Sequence, residues 1–175
     1  MCTTVPTLYV MCGLPFAGKS TIATALAEAL GAEVVRLDAI NHERGLGLDG
    51  RAISPEDWAI SYAEADQRLE RALADGRSVI ADATHFSRAE RDRARALAQA
   101  QGARTRVVHV PLTAEEARRR LLANRQTHVR YDVRDDDFAL VATHFEPPDG
   151  EPDVVRCSPD ASPSAWIAAV RGDRR

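Results

Sequence analysis

Lysine is nearly absent from this chain. Of its 23 basic residues, 22 are arginines and one, Lys19, is a lysine. With no lysine besides Lys19, the chain cannot contain the N-K-x-D motif by which guanine-specific nucleotide switches read their base. Aromatic residues make up only 5%, too few for the base-stacking platforms of single-strand nucleic-acid binders, although a groove that tracks phosphates stays open. Cysteine is scarce too: Cys2, Cys12 and Cys157 are odd in number and lack metal-ligand spacing, which excludes a disulfide framework. No apolar run approaches membrane-spanning length. The N-terminus has no basic region ahead of its apolar stretch, so no signal peptide is expected and a cytoplasmic enzyme is the default expectation. Repeats and low-complexity segments are missing as well.

What remains is ordinary in bulk. The 175 residues, 45% hydrophobic and 28% charged, predict one domain over 1–175 with a substantial core. The net charge of -3 implies no general affinity for nucleic acid or membrane, but the charge is uneven. From Thr84 to Arg134 twelve arginines face five acidic residues. A basic half in an acidic protein points to an anionic ligand, while solvated helix faces account for part of the arginines.

Gly13-Leu14-Pro15-Phe16-Ala17-Gly18-Lys19-Ser20, followed by Thr21, fits the phosphate-loop pattern G-x-x-x-x-G-K-[ST] at every fixed position. Leu8 to Cys12 before it reads as a buried strand, and Thr21 to Leu30 after it reads as a helix. Glycines let the backbone approach phosphate oxygens in conformations other residues resist. Successive N–H groups then converge on the anion, and the helix N-terminus adds its positive end. Gly13, Pro15, Phe16, Ala17, Gly18, Lys19, Ser20 and Thr21 are therefore the expected nucleotide-binding residues. Lys19 is expected to neutralise the β- and γ-phosphates of ATP and the Ser20 hydroxyl to ligate Mg²⁺. The one lysine thus stands where a compact point charge suits phosphates better than a planar fork.

Further strands are predicted at 33–37, 78–81, 106–110 and 153–157. The segment from Ile40 to Ser54 reads as irregular. Ser54-Pro55 opens a helix with Trp58, Tyr62, Ala65, Leu69 and Ala72 on one face. Ser87-x-x-Glu90 and Thr113-x-x-Glu116 are capping boxes, the second leading a helix with Ala117, Leu121 and Leu122 turned inward. Asp135 to Phe145 forms a short helix whose three leading aspartates serve its cap, and Ser162-Pro163 caps the last. Strands alternating with helices mean an α/β fold, a parallel sheet covered on both faces. Ligands in such sheets sit at the carboxyl ends of strands, where the loop, Asp38 and Asp82 all fall.

Asp82, leaving an apolar strand, fits the carboxylate that helps hold the Mg²⁺ shell. Thr84 and His85 follow it and can face the same cleft. Asp38, at the exit of the second strand, fits the carboxylate that takes the proton of an acceptor hydroxyl. Asn41, His42 and Arg44 are candidates for the acceptor pocket. Arg120 and Arg125, at the junction of a helix and a loop over about 120–135, are expected to stabilise transferred charge from a closing lid. Arg118 and Arg119 are expected to pair with Glu115 or Glu116.

Taken together, GLPFAGKST, RLDAINHER, VIADATHFSRAER, RRRLLANR and HFEPP resemble the small phosphate-loop kinases related to polynucleotide 5′-hydroxyl kinases and zeta-toxin-like kinases. The resemblance covers nearly the whole chain. It implies a three-layer fold with a five-stranded parallel sheet, an arginine-bearing lid, ATP with Mg²⁺, and phosphorylation of a hydroxyl. It also implies the base role for Asp38 and the lid role for Arg120 and Arg125. In the polynucleotide-kinase branch an arginine stands three positions after the acid; here that position is Asn41. A small-molecule acceptor therefore moves ahead of a nucleic-acid end. A polynucleotide or tRNA-linked hydroxyl kinase and a nucleotide-hydrolysing regulatory ATPase are the alternatives.

Overall fold

A computed structural model describes residues 5–47 and 51–172. Its core is a five-stranded sheet of β1 (Thr7–Cys12), β2 (Glu33–Arg36), β3 (Val79–Asp82), β4 (Arg104–His109) and β5 (Val154–Arg156). The strands lie in the order β2-β3-β1-β4-β5, and every adjacent pair is parallel. The helices are α1 (Lys19–Leu30), α2 (Leu37–Glu43), α3 (Pro55–Ala74), α4 (Arg88–Ala100), α5 (Ala114–Thr127), α6 (Asp135–His144) and α7 (Pro163–Gly172).

The central strand β1 is apolar without alternation because both its faces are covered. Leu8, Val10 and Cys12 join Leu69, Leu73, Ala94 and Ala98 of α3 and α4 on one side. Tyr9 and Met11 join Ile22, Leu26, Trp166 and Val170 of α1 and α7 on the other. A third, smaller cluster ties Leu14 of the loop to Ala117 and Leu121 of α5 and Phe138 of α6. The chain runs from β1 to β2 and β3 on one side, then crosses β1 to reach β4. The C-terminal end of β1 is thus the switch point where such sheets take their ligands.

Several local expectations hold. The Ser87 side chain accepts from the Glu90 N–H while Glu90 returns the bond, a complete capping box. Ser54 accepts from the Asp57 N–H, and Thr113 from that of Glu116, but the expected second capping box stays half made because the Glu116 carboxylate turns to Arg119 and Arg120. Arg119 pairs with Glu116 as expected. Others are corrected. Ile40 to Glu43 is not irregular: with Leu37, Ile40 and Asn41 buried at i, i+3 and i+4 it closes the short helix α2. β2 stops at Arg36, so Asp38 sits in the first turn of that helix rather than on the strand. Leu48 to Gly50, inside the same predicted segment, lie outside the described residues, as does Cys2. Leu122 faces outward, 47% exposed, because the inward stripe of α5 is Ala117, Leu121 and Asn124. The aspartates opening α6 make no side-chain cap bond; they act on the helix dipole and on neighbouring arginines.

Candidate functional site

The loop leaves β1 at Cys12 and turns under backbone constraints that only its own residues meet. A Cβ on Gly13 would come within 2.7 Å of the Val110 carbonyl oxygen, and the Gly13 N–H donates to Thr84 O at 3.1 Å. Gly18, at φ 102°, caps α1 in the left-handed region, which glycine enters without a Cβ penalty. Phe16 takes φ 63° as a non-glycine residue, a strained position of the kind that collects at binding sites. No acidic residue stands in the first turn of α1, so nothing offsets its positive end.

Lys19 is buried and its Nζ donates to Leu14 O at 2.7 Å, closing the loop upon itself. Desolvation pushes its ammonium down to about 8, against the pull of the Asp82 and Asp38 charges. Asp82, at the C-terminus of β3, is 7% exposed. Its Oδ2 is 3.4 Å from Arg36 Nε yet accepts no hydrogen bond. Asp38 is exposed in the first turn of α2. Its carboxyl is nevertheless raised above the ordinary range, first by the protein packed around it and then by Asp82, with Lys19 opposing. Lys19, Asp38 and Asp82, far apart in sequence, therefore share one electrostatic environment at the strand ends.

His85 turns away from that cleft. Its Nδ1–H donates to Met11 O at 2.7 Å, and burial pushes the ring down to about 4, fixing it neutral. His85, at φ 39°, pins the segment after β3 to β1. Asn41 and Arg44 are likewise committed. Arg44 donates to Asp57 Oδ1 at 2.7 Å and to Asp57 O and Ser61 Oγ at 2.6 Å, and Ser61 donates to Asn41 Oδ1 at 2.5 Å. His42, by contrast, is exposed, its ring 5.3 Å from that of Tyr131.

The segment expected to act as a lid comprises the end of α5, residues 128–134 and the start of α6. Buried Asn124 folds it, donating to Arg130 O and accepting from the Arg130 N–H. Arg130 reaches α1, donating to Thr21 Oγ1 at 2.8 Å. Arg125 bonds Asp132, Asp135 and Val133 O, so it braces the lid, and contact with phosphates requires an exchange of partners. Arg120 donates to Glu116 at 3.0 Å and borders a cavity of about 380 Å³ whose walls include Phe16, Gly18, Thr21, Pro159 and Trp166.

One group escapes sequence reasoning. Arg91 has no exposed surface and donates to Glu151, His85 O and Glu146 O, with Cys12 Sγ at 3.7 Å. Arg95 joins it on Glu151 at 2.9 Å. This buried cluster ties α4 and the 146–151 segment to the strand that launches the loop. The available signal is that Arg91 lies on the same stripe as Ala94 and Ala98; for Glu151 there is none. Beside it Cys12, buried, is pushed up to about 11 and is held as a thiol.

Among the described residues no three His, Cys, Asp or Glu side chains gather to hold a metal by themselves. No helix among them is long and apolar enough to cross a membrane.

A 2-3-1-4-5 parallel sheet with this loop at the switch point defines a P-loop nucleotide-binding protein of the three-layer α/β class. Residues 8–148 match the AAA domain family of the AAA_33 type, and the chain belongs to that family. No curated protein matches the sequence. Among solved structures, a presumed kinase of Chloroflexus aurantiacus is 19% identical, with 96% of this chain and 95% of that one covered at a TM-score of 0.74. Kti12 of Chaetomium thermophilum, in complex with ADP-AlF3, is 17% identical over 93% and 95% at 0.73. The APS kinase CysC of Mycobacterium tuberculosis, in complex with AMPPNP and APS, is 21% identical over 95% of each chain at 0.65. The five-stranded sheet and its two helical layers are shared with all three.

Proposed function

We propose that this chain is an ATP-dependent kinase that moves the γ-phosphoryl group to a hydroxyl of a small molecule. The observation that supports it most is that Asp38 and Asp82, at the ends of β2 and β3, both act electrostatically on Lys19 of the loop. A nucleotide-binding loop alone needs no exposed carboxylate; a transferase needs one. In this reading the N–H groups at the end of the loop and the start of α1, from Gly18 to Thr21, cradle the phosphates, and Lys19 leaves Leu14 O for the β- and γ-oxygens. Asp38 orients the acceptor hydroxyl and takes its proton as the oxygen attacks the γ-phosphorus and ADP departs. A raised carboxyl suits that task, because proton transfer is most effective to a base whose pKa lies closer to neutrality. Arg120 borders the nucleotide cavity, and Arg125 joins the phosphates on exchange of its aspartates.

The donor set fits Mg²⁺: Asp82 offers a buried oxygen without a hydrogen bond, and Ser20 follows Lys19 at the start of α1. Mg²⁺ keeps water and phosphate ligands and needs only one or two protein oxygens. When bound it would neutralise charge on the phosphates. The reading carries with it a cytoplasmic setting, where ATP is supplied. Likeness of fold to Kti12, seen with ADP-AlF3, keeps a nucleotide-hydrolysing regulator as the second reading.

Incubation with ATP, Mg²⁺ and cell extract, followed by mass spectrometry, is expected to reveal a metabolite that gains one phosphate. Lys19→Ala abolishes that product. Asp38→Asn lowers transfer by about 10²-fold or more while nucleotide binding stays. Hydrolysis unaffected by any extract, with no phosphorylated product, selects the regulator instead.

A further inference from the structure

The acceptor side of the cleft is poor in available positive charge. Arg44, one helical turn beyond Asn41, is the cation nearest in sequence to the candidate base. Its guanidinium is spent on three oxygens of Asp57 and Ser61. Arg36 is taken by Asp82 and the Thr24 hydroxyl. On the lid, Arg125 is held by Asp132 and Asp135, Arg134 by Asp136, and Arg120 by Glu116. Arg130 reaches the nucleotide side, on Thr21. Reading a phosphate or carboxylate takes a guanidinium with an uncommitted edge; of the two that flank Asp38 in sequence, Arg44 has both terminal nitrogens engaged and Arg36 its Nε–Nη2 edge. The local charge points the same way. Asp38 already feels Asp82, and an incoming anion would add repulsion from both carboxylates and from the nucleotide.

Two rings meet at this end of α2. His42 follows Asp38 by four residues on α2 and so lies on the same helix face. Tyr131 meets that ring from the lid, centroids 5.3 Å apart and tilted 41°. Tyr131 is 58% exposed, an unusual cost for an aromatic with no surface to cover. Its chain neighbours fix it there, Arg130 on Thr21 and Asp132 on Arg125. Ring faces favour the C–H faces of polyols, other rings and ammonium groups.

We infer that the acceptor is a neutral or cationic hydroxyl compound, carrying no phosphate or carboxylate, received between Asp38 and the His42–Tyr131 ring pair. This rests on the kinase reading above and narrows it. Asn41 and Arg44 then serve as scaffold that sets the pitch of α2 against α3, and Tyr131 sets specificity by closing over the acceptor.

The test divides a small-molecule filtrate from cells of the source organism on an anion exchanger at pH 7. Flow-through and retained fractions are each incubated with the protein, Mg²⁺ and γ-labelled ATP. Label is expected in a product from the flow-through alone. With that product's parent as substrate, Tyr131→Ala is expected to raise the acceptor KM roughly tenfold or more without changing the nucleotide Kd. Arg44→Gln is expected to lower the melting temperature while leaving that KM within about twofold. Label in a product from the retained fraction, alone or alongside the other, overturns the inference and leaves the kinase reading standing. An unchanged KM in Tyr131→Ala overturns the role of the ring pair. Label in neither fraction overturns the kinase reading and the inference with it.

Discussion

Lys19 shows how burial tunes a single side chain. Its ammonium is buried against Leu14 O, and desolvation outweighs the two nearby carboxylates. Phosphates favour the charged form, so binding raises this pKa and takes up a proton. The affinity for ATP is therefore expected to be level below pH 8. Above it, affinity falls by roughly tenfold per unit, until the pKa of the bound state is reached. Calorimetric titration between pH 7 and 9.5 measures this; a flat profile would contradict the depressed pKa. The histidines behave differently. His85 is neutral at every pH where the protein is expected to work, and its bond to Met11 O makes it a structural pin.

Among the elements, α4 does more than cover the sheet. Its capping box fixes where it starts, and its buried face carries Arg91 into the interior beneath the loop. Breaking a buried ion pair by removing one partner leaves an uncompensated charge, at a cost of about 3–5 kcal/mol. Arg91→Ala is expected to strand Glu151 and to lower the melting temperature by roughly 10 °C. Arg91→Met combined with Glu151→Leu, which removes both charges, is expected to recover most of that loss in thermal melts. A double variant no better than the single one would mean that the bonds to His85 O and Glu146 O, not the ion pair, carry the stability. The lid is the opposite kind of element. It is held by Asn124, by a small cluster around Phe138 and by exposed ion pairs, contacts that open at little cost.

Taken whole, the molecule carries two histidines buried without charge. Burial pushes both His85 and His109 down to about 4, and His109 stacks on Phe145 with Nδ1 unbonded. The unfolded chain protonates them near 6.5, the folded one near 4. Their contribution is thus fully present above pH 6.5 and is lost as pH falls toward 4. Each is worth on the order of 3 kcal/mol at the most. The melting temperature is expected to drop between pH 6.5 and 5, before most carboxylates titrate, and His109→Leu is expected to flatten that drop. A melting profile level down to pH 5 would rule the effect out.

At the same scale the chemistry divides cleanly between chain and fold. The phosphate loop, the alternation of strands and helices, the Ser87–Glu90 capping box and Asp82 at its strand end were all legible in sequence, because each depends on neighbours a few residues apart. Asp38 was placed at the right level of the sheet but in the wrong element, since only the burial of Leu37 and Ile40 shows that α2 begins at once. The fates of the arginines were not legible. Arg91, Arg44 and Arg125 look alike in a charge-rich sequence, yet one lies buried on Glu151, one is locked to Asp57 and Ser61, and one braces the lid. A guanidinium's role is set by the oxygens that reach it, and those come from residues up to 60 positions away. Sequence alone determined that this chain handles a nucleotide, through local backbone geometry. Tertiary structure decided which charges remain to meet a ligand, because long-range pairing removes charges that the sequence can only count.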